Sequence, residues 1–395
     1  LDDAFETLAR CPINELNMSL LYNLGLDFER KRQSRQAIAV YRHMLEQDPE
    51  YRDVERRAMR LSQIKRHRLP GSTSDNISLW LEQGDDLNKP TLGRYQIEKR
   101  LAKGAMGMVY LGHDPRLDRV VALKTLALSE EFEGEDLQEA TTRFFREASA
   151  AGRLHHPYII AVYDAGEEHD LAYISMEFFK GGDLGAYTRP NNLLPVDIVF
   201  DLTIKAAEAL DYAHHQGVIH RDIKPTNILR NPATGEIRLT DFGIARITDT
   251  TKTKTGIILG TPSYMSPEQL AGKDVDGRSD LFSLGVMFYQ LLSGELPFTA
   301  ESMTSLMFKI ASESQPDILE LRDDLPPSVK PIVDRLLEKE AAQRYANGAE
   351  LITELSQCRA LIKTESSDTV TPQDEEPPVP DEEHSSPSDN MDINA

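Results

Sequence analysis

The chain has 395 residues, 65 of them acidic against 44 basic, for a formal net charge of −21, and 40% are apolar. That length implies two or three domains, and the apolar fraction fills at least one sizeable core, so the chain is not disordered throughout. The acidity argues against a general nucleic-acid or membrane-surface binder, because phosphate is repelled by most of such a surface. Two distant cysteines, Cys11 and Cys358, exclude a disulfide scaffold or a zinc site and fit a cytoplasmic, reducing compartment.

No run approaches the roughly 18 apolar residues needed to cross a bilayer, and no charged-then-apolar leader opens the chain. Leu1 in place of a methionine leads us to expect a longer parent protein, of which this chain could form the cytosolic part beside a membrane anchor. Residues 1–69 read as helical. Within Met18–Tyr51, the residues Leu21, Leu24, Gly25, Phe28, Ala37, Tyr41, Met44 and Pro49 fall at helical spacings around a polar turn at Arg32–Ser34. Those positions resemble a tetratricopeptide (TPR) repeat, whose 34-residue unit sets a small residue where two helices cross and a proline where the second ends. An ordinary αα-hairpin is the alternative. Asp2–Arg10 reads as the last helix of a preceding unit and Val54–Arg68 as a closing helix, made basic by Arg52, Arg56, Arg57, Arg60, Lys65, Arg66 and Arg68. A solvated helix face explains those charges better than an acidic partner does.

Residues 70–91 mix Gly, Ser, Asp and Asn around a single apolar patch carrying Trp80, and read as a linker. From residue 92 to 360 the pattern is globular, with short β-rich runs (Tyr95–Leu101, Val109–His113, Val120–Leu126) and then, after about Ala148, long helical ones. Gly104 and Gly107, followed by Val109, sit between two expected strands and let a hairpin backbone lie close over phosphates, although an ordinary turn also accounts for them. Lys124 stands in an otherwise apolar strand, where a lysine needs an anionic partner, and Glu147 on the next expected helix offers one, although an exposed lysine at a strand end also accounts for it. After the amphipathic helix Ile204–His215 comes His220-Arg221-Asp222-Ile223-Lys224-Pro225-Thr226-Asn227, and then Asp241-Phe242-Gly243. The tail, residues 361–395, has almost no large apolar side chains. From Thr364 onward it holds ten acidic and no basic residues, so it reads as disordered.

In this order and spacing the motifs resemble the protein kinases, and specifically the bacterial Hanks-type Ser/Thr kinases, from about Gly93 to Cys358. The resemblance continues through Gly260-Thr261-Pro262-Ser263-Tyr264-Met265-Ser266-Pro267-Glu268, Asp280 and Arg344. It implies an α+β, two-lobed kinase fold, with a β-rich N-lobe and a helical C-lobe, preceded by the TPR-like hairpin. It also implies that ATP binds against Ala102, Gly104, Ala105, Met106, Gly107, Val109, Ala122 and Lys124, and against Met176, Glu177 and Phe178 at the hinge. Lys124 would hold the α and β phosphates and be held by Glu147. Asp241 and Asn227 would ligate Mg²⁺, with Mn²⁺ as an alternative ion. Asp222 would orient or accept the proton of a protein Ser/Thr hydroxyl, and Lys224 would stabilise the transferred group.

By the same resemblance Thr261 bonds Asp222 and Lys224, Glu268 pairs with Arg344, and Asp280 braces the catalytic loop. Arg221 would receive a phosphate from the threonine-dense loop, with Thr253 and Thr255 the favoured autophosphorylation sites, reached in trans through a transient homodimer. Ala102 replaces the first glycine of the Gly-rich motif, so a poorer loop fit is expected, and Ser266 replaces an alanine. Two other readings compete. A catalytically weak pseudokinase scaffold, working through a partner of the TPR-like segment, is disfavoured because it has no chemical need for Lys124, Glu147, Asp222, Asn227 and Asp241 together. A small-molecule kinase is disfavoured by the segment Thr261 to Glu268, which forms the peptide-docking floor in protein kinases.

Overall fold

A computed structural model describes residues 2–11, 14–30, 34–49, 51–66, 90–103, 107–128, 132, 134–168, 171–242 and 262–368. The expected linker, with Trp80, lies outside them except at its C-terminal end. So do Gly104, Ala105, Met106, Thr253, Thr255, Thr261 and residues 369–395.

Helices α1 (Asp2–Ala9), α2 (Glu15–Arg30), α3 (Ser34–Gln47) and α4 (Val54–Arg66) bury the stripe read from the sequence: Leu21, Leu24, Phe28, Ala37, Tyr41 and Met44 form one core with Val54 and Leu61. Gly25 is required where α2 meets α3. A Cβ there would stand 2.3 Å from the Tyr41 ring. A charged network lies beside this contact: Tyr41 donates to Glu29 (2.6 Å), Arg57 bridges Glu29 (3.1 Å) and Asp53 (3.0 Å), and Tyr22 donates to Asp53 (2.6 Å). Burial works to raise the Asp53 pKa, but hydrogen bonds from Tyr22 and Arg56 and the Arg57 charge bring it down to about 2.

The first strand opens at Thr91, the last residue of the stretch expected as linker. Strands β1 (Thr91–Leu92), β2 (Tyr95–Lys103), β3 (Met108–Asp114), β4 (Arg119–Leu126), β5 (Val162–Glu168) and β6 (Leu171–Glu177) form an antiparallel sheet in the order β1-β2-β3-β4-β6-β5. Helix α5 (Gly134–Ala151) packs its apolar side, including Phe144 and Ala148, onto that sheet. A second, small sheet of β7 (Gly182–Asp183), β8 (Ile228–Arg230) and β9 (Ile237–Leu239) adjoins the segments that bear Asp222 and Asp241.

The helical core is built on α6 (Val196–His215) and α8 (Gly277–Ser293), separated in sequence by the short α7 (Pro267–Leu270). Every residue of α8 from Ser279 to Ser293 is buried, so this helix is the centre of the lobe. Helices α9 (Met303–Ser312), α10 (Ile318–Leu321), α11 (Val329–Leu336) and α12 (Gly348–Asp368) follow. Two expectations are corrected in extent. Helix α6 starts at Val196 rather than Ile204, because Val199, Phe200, Leu202 and Thr203 are also buried. Helix α12 runs past residue 360 into the expected tail, anchored by Leu351, Leu355 and Cys358 in the core.

Gly25→Ala is expected to weaken the N-terminal unit by about 1–3 kcal/mol through overpacking against Tyr41. Hydrogen–deuterium exchange on the whole chain should speed up within residues 15–66 and stay unchanged in α8. Unchanged exchange in both would contradict the packing argument.

Candidate active site

The sheet's alternation decides which side chains meet in the cleft. Val109 is opposite Lys124 in the β3–β4 ladder, and Ala122 is opposite Met176 in the β4–β6 ladder. Ala122 and Lys124 therefore share a face. Ala122 and Met176 are buried there, and Val109 packs against the same cluster, giving an apolar surface that suits a flat heterocycle. Gly107 is required for a backbone reason: a Cβ would stand 1.7 Å from the carbonyl oxygen of Thr125, so only glycine lets the end of the loop lie against β4. Ala102 pairs with Val109 at the exposed end of β2.

Lys124 reaches across the cleft to Asp241, Nζ to Oδ1 2.7 Å. Burial works against the Asp241 carboxylate, but the Lys124 ammonium outweighs it and holds the carboxyl below its usual range. The expected Lys124–Glu147 pair is not formed. Glu147 lies 3.3 Å from its neighbour Arg146, and the ammonium takes the ionised carboxylate that Asp241 presents from the other side of the cleft. Behind this pair a cavity of ≈ 20 Å³ is lined by Ala148, Ile160, Ile174 and Phe242 among others.

The catalytic loop is a set of short contacts around Asp222. Lys224 Nζ is 2.8 Å from its Oδ2, and Asn227 Nδ2 donates to both its backbone oxygen (2.7 Å) and Oδ2 (2.9 Å). Both amide hydrogens of Asn227 are thereby committed to Asp222, which leaves Asn227 Oδ1 to accept or to ligate. With the Asp241 carboxylate it forms an all-oxygen donor pair. That suits Mg²⁺ or Mn²⁺, hard cations that complete their shell with phosphate oxygens and water rather than with a protein cage. Among the described residues no cluster of three or more His, Cys, Asp or Glu side chains could hold a metal alone.

Two backbone positions of the site are left-handed without being glycine, Arg221 (φ 67°) in this loop and Asp241 (φ 70°) after β9. Such positions cost on the order of 1–3 kcal/mol each and persist only where surroundings hold them. At Arg221 the holder is Asp280, buried at the start of α8, whose Oδ1 accepts from the Arg221 N–H (2.7 Å). Its Oδ2 accepts from the His220 N–H (2.8 Å) and meets His214 Nε2 (2.8 Å). Burial works to raise the Asp280 pKa, and the His214 hydrogen bond leads the contacts that lower it. The His220 ring touches the Thr240 oxygen (2.9 Å) and packs 4.5 Å from the Phe242 ring, joining the loop to the segment carrying Asp241.

Lower in the lobe Glu268 receives both terminal nitrogens of the fully buried Arg344 (2.7 and 2.8 Å) and the Ser279 hydroxyl. Three contributors were not read from the sequence. His214 is the third contact of Asp280. Gln269 donates to the Arg221 oxygen (2.9 Å). Arg238 pairs with the hinge carboxylate of Glu177 (3.3 Å) and stacks on Phe179 (5.2 Å). A signal existed for Gln269, since Ser266-Pro267-Glu268-Gln269 is a capping-box sequence. Phe178 lies half-buried just after β6.

The family described as "Protein kinase domain" matches residues 95–357. The chain is 36% identical over 270 residues to the probable serine/threonine-protein kinase PknB of Lactococcus lactis, covering 68% of this chain and 42% of the relative. It is 37% identical over 274 residues to the serine/threonine-protein kinase PknA of Mycobacterium tuberculosis (68% and 62%). To PrkC of Bacillus subtilis it is 37% identical over 266 residues (67% and 40%). The crystal structure of the Mycobacterium tuberculosis PknI kinase domain superposes with a TM-score of 0.56 and 31% identity, covering 68% of this chain and 97% of that one. The matched part spans 42%, 62% and 40% of the PknB, PknA and PrkC relatives, less than two thirds of each. The chain belongs to the protein kinase family, with a serine/threonine-type kinase domain of the bacterial kind and the two-lobed kinase fold.

Arg344→Met leaves Glu268 charged and unpaired in the lobe, and the expected loss of stability is about 3–5 kcal/mol. Burial alone would raise the Glu268 pKa, but its hydrogen bonds to Arg344 and Ser279 lower it from the usual 4.5. Its contribution is therefore present above pH 4.5 and lost as pH falls below. Denaturant midpoints should drop from pH 7 to pH 4 more steeply in wild type than in Arg344→Met; parallel profiles would count against the pair.

Proposed function

We propose that the chain transfers the γ-phosphoryl group of ATP to serine or threonine hydroxyls of protein substrates. The observation that carries this reading is Asp222, held by Lys224 and Asn227, together with the Lys124–Asp241 pair across the cleft. Phosphoryl transfer asks mostly for positioning and charge neutralisation, and these residues supply both. The apolar face of Val109, Ala122 and Met176 receives the base, and Lys124 binds the phosphates from β4. Asp241 and Asn227 hold Mg²⁺, which when bound neutralises phosphate charge. Asp222 orients the acceptor hydroxyl and takes up its proton, while Lys224 stabilises charge on the transferred group.

Two finer readings accompany this one. Arg221, adjoining Asp222, supports control by phosphorylation of the threonine-dense loop. The contact of Gly25 with Tyr41 supports a TPR-like unit for α2 and α3, and such a unit fits a protein partner. Among the described residues no helix is long and apolar enough to cross a membrane.

With radiolabelled ATP, Mg²⁺ and dephosphorylated casein, wild type should label the acceptor and Asp222→Asn should fall by roughly 10²- to 10⁴-fold. Equal labelling by both proteins would defeat the reading. Asp241→Asn should abolish the dependence of nucleotide affinity on Mg²⁺, read by fluorescence titration without turnover.

A further inference from the structure

The four-residue helix α7 opens with a reciprocal cap. Ser266 Oγ accepts from the Gln269 N–H (3.3 Å), and Gln269 Oε1 accepts from the Ser266 N–H (2.9 Å). That box satisfies two backbone donors at the helix start, and it gives the Ser266 hydroxyl a purpose. It also turns the other end of the Gln269 amide toward the catalytic loop, where Nε2 donates to the Arg221 carbonyl oxygen at 2.9 Å. A flipped amide would set Nε2 against the Ser266 N–H and Oε1 against the Arg221 carbonyl, two repulsive contacts. The partners themselves therefore fix the orientation.

The position of this contact matters more than its existence. Arg221 is the left-handed residue immediately before Asp222. The peptide plane on its N-terminal side is held by Asp280, through the Arg221 N–H, and the plane on its C-terminal side is held by Gln269, through the Arg221 carbonyl. The second plane contains the nitrogen of Asp222, whose N–H also points at His220 Nδ1 (3.3 Å). A rotation of that plane swings the Asp222 carboxylate away from Lys224 and Asn227.

We propose that Gln269 is a positioning residue for phosphoryl transfer: by gripping the Arg221 carbonyl it fixes the direction of Asp222 and ties it to the turn at Ser266. The inference rests on the protein kinase reading above. Gln269 does not act on the reacting atoms; it acts through Arg221. The same turn is the one expected to form the floor for a protein acceptor, so movement of that floor is transmitted to the residue that orients the hydroxyl.

Two substitutions separate the two ends of the amide. Gln269→Glu keeps the oxygen that caps Ser266 and loses the donor to Arg221. Gln269→Lys keeps a donor and loses the capping oxygen. With casein and ATP–Mg²⁺, Gln269→Glu is expected to lower kcat about tenfold, the scale set by a small misalignment of a reacting group, with Tm and the Kd for ATP–Mg²⁺ as in wild type. Gln269→Lys is expected to keep kcat within about twofold while lowering Tm. Wild-type kcat in Gln269→Glu would overturn the inference, as would losses of kcat in both variants that simply track Tm. A wild-type chain that binds nucleotide but labels no acceptor defeats the kinase reading itself, an outcome distinct from the other two, and the inference falls with it.

Discussion

The site depends on one buried carboxylate. Asp280 is fully enclosed at the start of α8, a helix buried from Ser279 to Ser293, and a charge there is tolerable only if its lone pairs are taken up. The backbone N–H groups of His220 and Arg221 and the imidazole of His214 take them up. Because two of these donors are consecutive backbone groups, the carboxylate dictates a chain path as well as forming a bond. That path forces Arg221 into a left-handed conformation which it would not adopt alone, and Asp222 follows from it.

The remaining contacts transmit that constraint outward. Glu268 and Arg344 fix the short helix α7 to the base of the lobe, and Gln269 on the same helix reaches the Arg221 carbonyl. His220 leans on Phe242, so the loop bearing Asp222 and the segment bearing Asp241 form one packed unit. On the other side of the cleft the sheet presents Lys124 from a strand whose neighbours are apolar. The Lys124–Asp241 ion pair spans the two halves at 2.7 Å. At the hinge Glu177 is tied to Arg238 on β9, three residues before Asp241 in the chain.

Much of this was legible in the sequence because it is local. The strand pattern of Tyr95 to Leu126, the helical stripe of residues 18–51 and the order His220, Asp222, Asn227, Asp241 each need only a few neighbouring positions to be recognised. The misreadings have a shared cause. A lysine in an apolar strand needs an anion and the sequence offers Glu147 on the next helix, yet the partner is chosen by which carboxylate the folded cleft brings nearest. His214, Gln269 and Arg238 meet partners 66, 48 and 61 positions away, and no periodicity records such pairings.

By itself, then, the sequence determined the two-lobed architecture and the order in which Lys124, Asp222, Asn227 and Asp241 follow one another along the chain. Those follow from hydrophobic periodicity and from side-chain chemistry at fixed spacing, both written along the chain. Only the tertiary structure decided which charge meets which. Buried polar groups must find partners wherever packing brings them, and packing is a property of the whole fold. Gln269 shows the division: its cap is encoded three residues away in Ser266, whereas its grip on Arg221 exists only once α7 has docked beside the catalytic loop.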